Sequence, residues 1–149
     1  MRIALSGSAG TGKTTLAKRL SERYGVPYLD EGFRNRREAG LDPHTLSRDE
    51  HKALLVELYD EAMAEMDAAT TVHGGFVADR GPLDFLAFWL HYGFWSDNDG
   101  SRDFHHRCHH DLGRLEMIVM LPWGVIDLTT DGIRSTNPWL QLKYQALLE

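Results

Sequence analysis

Gly7-Ser8-Ala9-Gly10-Thr11-Gly12-Lys13-Thr14 fills every defined position of the pattern GxxxxGK[ST]. That spacing suits a polyphosphate, because glycines let the backbone wrap an anion with successive N–H groups and the next helix start facing it. Lys13 then reaches the β and γ phosphates, Thr14 sets its hydroxyl on Mg²⁺, and Thr15 adds a further phosphate contact. The competing explanation is a glycine-rich turn with no ligand. Against it stands the context: a strand-like run before the glycines and a helical pattern after them.

Acids at two further positions can complete such a site. In open α/β sheets ligands bind beyond the carboxyl ends of the strands, and Asp30-Glu31 and Asp79 fall at such ends. Asp79 ends the apolar run Phe76-Val77-Ala78, where a carboxylate can hold Mg²⁺ directly or through water while Arg80 points at phosphate or substrate. Its bland alternative is a strand-end Asp capping the turn into Pro82. Glu31 and Arg34 pair a proton acceptor with an anion holder three residues on. Glu31 is the better acceptor-orienting group and Asp30 the second, although spacing alone does not separate Glu31, Asp30 and Asp79. A solvated charge run, continuing through Arg36, Arg37 and Glu38, is the alternative.

The elements that must position these groups follow from periodicity and punctuation. Arg2 to Ser6 reads as a strand and Lys13 to Tyr24 as a helix ended by Gly25 and Pro27. A second strand lies around Val26 to Asp30, with a loop or short helix after it. Ser47 and Glu50 form a capping box for a long amphipathic helix from Arg48 to about Thr71. Phe76 to Asp79 is a buried parallel strand, and Pro82 opens a helix running to about Trp95. A His-rich helix to about Leu112, a strand Leu115 to Leu121, a loop over 123–136 and a last helix from Pro138 complete the chain. Strands alternating with helices predict an α/β fold, a doubly wound and mostly parallel sheet with helices on both faces and four visible strands.

Composition narrows the function classes. The 149 residues suit one domain, with 42% hydrophobic and 26% charged residues, the balance of a globular protein. A formal charge of −6 disfavours nucleic-acid coating, which needs Lys and Arg against phosphates. Phe85 to Trp95, the most apolar stretch, is too short for a membrane span. One cysteine, Cys108, and a start without a basic, apolar leader predict a cytoplasmic location.

Together, GSAGTGKTTLAKRL, the acid-x-x-Arg at Glu31 and Arg34, DRGPLDFLAFW from Asp79 and DGIRSTNP from Asp131 resemble the P-loop kinases of nucleosides and nucleotides. That group holds thymidylate kinase, deoxynucleoside kinases and nicotinamide riboside kinase-like proteins. The resemblance implies a three-layer P-loop fold, ATP and Mg²⁺ as cofactors, and a lid-like segment at about 123–136. It further implies that Arg80 contacts the phosphates or the acceptor and that Arg134 is a lid arginine stabilising the transferred phosphoryl. Gly81 stands where several relatives carry Ser, Tyr or His.

On the helix after Asp79, Leu83, Leu86, Ala87 and Leu90 are expected on the core face. Phe85, Trp89 and Tyr92 are then left to stack on a planar acceptor such as a nucleobase. A thick core or a homodimer surface is the alternative use of these rings. His105, His106, His109 and His110 lack the distant ligand pair a tetrahedral zinc site needs, so Mg²⁺ is the expected metal. The sequence thus predicts an ATP-dependent kinase acting on a nucleoside, nucleotide or similar small acceptor. A polynucleotide kinase gripping a strand with Arg34, Arg36 and Arg37, and a nucleotide-binding switch without kinase activity, are the alternatives.

Overall fold

The computed structural model describes residues 1–42, 45–127 and 137–149. In chain order the elements are β1 (Arg2–Ser6), α1 (Lys13–Tyr24), β2 (Tyr28–Leu29), α2 (Gly32–Glu38), α3 (Arg48–His73) and β3 (Phe76–Asp79). There follow α4 (Pro82–His91), a 3-10 turn (Phe94–Ser96), α5 (Asn98–Leu112), β4 (Met117–Met120) and α6 (Pro138–Leu148). Strand order is β2-β3-β1-β4, with every pair parallel. Parallel strands joined by helical crossovers put all four carboxyl ends on one edge, so Ser6, Leu29, Asp79 and Met120 end side by side.

Side chains alternate across this sheet, and each face carries its own core. Ile3, Leu5 and Val77 pack on Ala17 of α1. Phe76 and Ala78 turn the other way, toward Leu54, Leu55, Leu58 and Met66 of α3 and Phe85 and Trp89 of α4. The capping box at Ser47 and Glu50 starts α3 as expected. Among the described residues no helix is long and apolar enough to cross a membrane.

Three expectations are corrected. The helix expected to run to Trp95 stops at His91, because Gly93 adopts φ 73°, a left-handed geometry that glycine takes without steric cost. The second strand holds two paired residues, Tyr28 and Leu29, rather than the longer run from Val26.

The third correction concerns how α4 is turned. Leu90, expected in the core, is 45% exposed, whereas Trp89, expected to face an acceptor, is 4% exposed. Trp89 stacks on Phe104 with centroids 4.2 Å apart and donates from Nε1 to Ser101 Oγ at 3.1 Å. The α5 helix provides both contacts, a packing that spacing within α4 does not report. Deleting this indole should therefore act on stability. Trp89→Ala is expected to lower unfolding free energy by about 3–5 kcal/mol, read from urea midpoints. A loss below ~1 kcal/mol would remove Trp89 from the core.

Candidate active site

The first turn of the site is the phosphate loop between β1 and α1. Gly10 and Gly12 take φ 79° and 85°, and Gly12 hands the chain directly to α1. Lys13 is buried and its Nζ donates to the Ser8 carbonyl at 2.7 Å, curling over the loop it belongs to. Burial, reinforced by the positive charge of Arg80, lowers its pKa to about 7. A polyanion placed there would restore the ammonium and draw it off Ser8.

Asp79 stands across from this helix start. The register pairs Leu5 with Asp79, which carries the carboxylate to the strand edge next to the loop. Thr14 donates its hydroxyl to Asp79 Oδ2, while Oδ1 is buried with no hydrogen-bond partner among the described residues. Burial raises the Asp79 pKa despite the Thr14 bond and the nearby Lys13. An orphaned carboxylate oxygen beside a hydroxyl is an oxygen donor set that suits Mg²⁺, and these two side chains would hold the ion.

Arg80 occupies the turn between β3 and α4 at φ 103°, a left-handed conformation that costs a non-glycine residue. Its side chain explains why the turn persists. Nε donates to Glu31, and Nη1 donates to Asp84 Oδ1 at 3.1 Å, Tyr144 Oη at 3.2 Å and the Gly7 carbonyl at 3.4 Å. Burial works against the charged form, yet Glu31, Tyr144 and Asp84 outweigh it and keep the guanidinium protonated. Asp84 is fully enclosed; its Oδ2 accepts from Ser6 Oγ at 2.6 Å and from the Gly81 N–H at 3.1 Å. Gly81 leaves room for this turn to lie on β1, since a Cβ there would come within 2.7 Å of the Ala4 methyl.

A cavity of about 540 Å³ opens beside Ala9 and takes in this ion pair. Glu31, Arg34 and Arg80 line it together with Phe85, Phe88 and Tyr92, whose rings follow one face of α4. Of the two neighbouring acids Glu31 is the one whose carboxylate reaches Arg80, while Asp30 Oδ1 is engaged by the Tyr28 hydroxyl at 2.9 Å and the Glu31 N–H at 2.8 Å. Arg34 also bonds Glu38 at 2.9 Å. Arg36 turns away, bonding Glu57 of α3 at 3.0 Å.

The structure thus gathers Lys13, Thr14, Glu31, Asp79 and Arg80 at the strand ends, with Arg34 and Phe85 on the cavity wall. Trp89 is outside that wall. Arg134 and the rest of 128–136 in the lid-like segment lie outside the described residues. Sequence reasoning missed Asp84 and Tyr144. Asp84 had a signal, an acid at the third position of a helix opened by Gly81-Pro82, the place of a capping side chain. Tyr144 had none, because its role exists only after α6 folds back over the loop.

Several known proteins are similar to this chain. "Cytidylate kinase" from Methylobacterium sp. is 44% identical over 70 residues, covering 47% of this chain and 29% of the relative. "Adenylate kinase" from Mycolicibacterium paratuberculosis is 36% identical over 94 residues, covering 55% and 48% respectively. Among solved structures, NadR protein in complex with NAD and AMP-PNP superposes with a TM-score of 0.64 at 21% identity, over 98% of this chain and 39% of that one. The chain therefore shares the α/β fold of that structure, and it spans less than half the length of each of these proteins. The AAA domain family (AAA_28) matches residues 2–149, a stretch that contains the loop, both acids and α6. With all but its first residue inside that match, the chain belongs to the AAA domain family.

Proposed function

We propose that this chain forms the phosphoryl-transfer site of an ATP-dependent kinase whose acceptor is a nucleoside, a nucleotide or a similar small molecule. One observation carries the reading: the cavity beside the phosphate loop has the Glu31–Arg80 pair at its polar end and aromatic rings along its wall. A volume of about 540 Å³ accommodates a small planar ligand, and the rings suit its faces. Arg36 is held by Glu57 and Glu61, which takes away one of the three arginines a polynucleotide strand would need.

Bound ATP would supply the phosphoryl group, and Mg²⁺ a divalent charge that offsets the phosphate oxygens. The loop N–H groups hold the phosphates, and Lys13 leaves the Ser8 carbonyl to neutralise charge developing on the oxygens. Thr14 and Asp79 would hold the ion. Glu31, pinned by Arg80, accepts a hydrogen bond from the acceptor hydroxyl and orients its oxygen at the γ phosphorus. The new O–P bond forms as the β–γ bridging bond breaks, ADP departs, and the hydroxyl proton passes to Glu31 or water. An acceptor that ends in a phosphate attacks with an oxygen already ionised and uses Arg80 and Arg34 for its charge.

ADP release from Mg-ATP, measured against nucleosides, nucleoside monophosphates, nicotinamide riboside and 5′-hydroxyl oligonucleotides, should be stimulated by a small acceptor and abolished by Lys13→Ala. Silence across the panel with ATP still bound contradicts the kinase reading and favours a switch; stimulation by the oligonucleotide alone moves the acceptor to nucleic acid. With a hydroxyl acceptor, Glu31→Gln should keep ATP affinity and cut kcat by roughly 10²–10⁴-fold. Undiminished turnover would reassign the orienting group.

Lys13 gives nucleotide binding a pH signature. With its pKa lowered to about 7 in the free protein, Lys13 is mostly neutral at pH 8, and phosphate favours the charged form. Binding should therefore take up about one proton at pH 8, and affinity should fall as pH rises through 7. Calorimetry in buffers of different ionisation enthalpy measures this uptake, and a value of zero at pH 8 refutes the assignment.

A further inference from the structure

Two buried amides on α6 hold the entry of the phosphate loop. Gln141 and Gln145 are 7% and 4% exposed, rare burial for a side chain with two donors and an acceptor oxygen. The Ala9 N–H donates to Gln141 Oε1 at 3.0 Å, and the Ser8 N–H donates to Gln145 Oε1 at 3.1 Å. Gln145 Nε2 donates to the Leu121 carbonyl at 3.3 Å and to Glu149 Oε1 at 3.0 Å. Two acceptors on one side and a backbone donor on the other fix which way this amide points.

The helix touches the acceptor end with the same stripe. Residues 141, 144, 145 and 148 follow the i, i+3, i+4, i+7 spacing of one helix face. Tyr144 accepts from Arg80 Nη1 at 3.2 Å and bonds Asp84 Oδ1 at 3.2 Å. Leu148 packs with Tyr144 against Ala87 of α4. Asn137 caps the helix start by accepting from the Trp139 N–H at 3.0 Å. One short helix therefore grips both the loop that would hold a nucleotide and the arginine that faces the acceptor.

We propose that Gln141 and Gln145 are positioning residues for nucleotide binding. By fixing Ser8 and Ala9 they set the path of the loop, and so the aim of the N–H groups at Gly10 to Thr14 that receive phosphate. Without them, two inward-turned donors lose their acceptors, and the loop must rearrange to find others. This inference rests on the nucleotide-binding half of the function proposed above and needs no acceptor identity.

Calorimetric titration with Mg-ADP separates positioning from mere support, with melting temperature recorded alongside. Gln145→Met keeps the volume and removes the polar atoms; the expected result is about tenfold weaker Mg-ADP binding with a modest fall in melting temperature. Leu148→Ala loosens the same helix without touching the loop and should lower the melting temperature while leaving affinity within about twofold. Unchanged affinity in Gln145→Met, or equal weakening in Leu148→Ala, overturns the proposal. If Gln145→Met does not fold, Gln141→Met carries the same expectation at Ala9, and unchanged affinity there is equally decisive. Wild-type protein that ignores Mg-ADP defeats both this proposal and the nucleotide reading. Weakened binding in the variant together with a silent acceptor panel leaves the proposal standing and defeats only the kinase.

Discussion

A guanidinium enclosed by protein must keep its counter-charges, and the Arg80 cluster imposes that demand on four parts of the chain. Glu31 arrives from the end of β2, Asp84 from the first turn of α4, the Gly7 carbonyl from the phosphate loop and Tyr144 from α6. Removing a single partner from such a group leaves charge uncompensated, which costs far more than a surface ion pair returns. The same cluster sustains the left-handed backbone at Arg80, so local strain and tertiary pairing sustain each other. Glu31, which lines the cavity, is oriented as a by-product of keeping the arginine satisfied.

The phosphate loop is assembled by a similar logic with neutral groups. Its N–H donors at Ser8 and Ala9 face inward and are held by amide oxygens from α6, while the Ser8 carbonyl takes Lys13. The loop is thus held in shape by internal bonds weaker than those to a polyphosphate. Lys13 contributes to the difference, because its lowered pKa makes its charge conditional on what it meets.

Much of this was legible in the residues. The glycine spacing and Lys13 declare a phosphate loop because few other backbones need that pattern, and apolar runs ending in acid mark strands that reach a crevice. The capping box at Ser47 and Glu50, Pro82, and Asn137 with Pro138 located α3, α4 and α6 from local chemistry alone. What stayed hidden depends on contacts between elements distant in sequence. Trp89 and Leu90 sit one residue apart, and only the position of α5 decides which is enclosed. Arg36 reads as one of a run of charges until α3 supplies Glu57 and Glu61. Tyr144, Gln141 and Gln145 carry no motif, since their meaning comes from a helix returning over a loop more than 130 residues earlier.

Gly81 has a history written into its surroundings. The methyl of Ala4 lies where its side chain would begin, so the residue after Asp79-Arg80 is chosen in part by a residue of β1. Two such positions are epistatic: a lineage could acquire a hydroxyl or a ring at 81 only after position 4 had shrunk or the turn had lifted from the strand. Ala4 to Gly first and Gly81 to Ser second is a passable route, whereas the reverse order passes through a collision. What can stand at position 81 is then gated by a residue of β1 that lies beneath the turn.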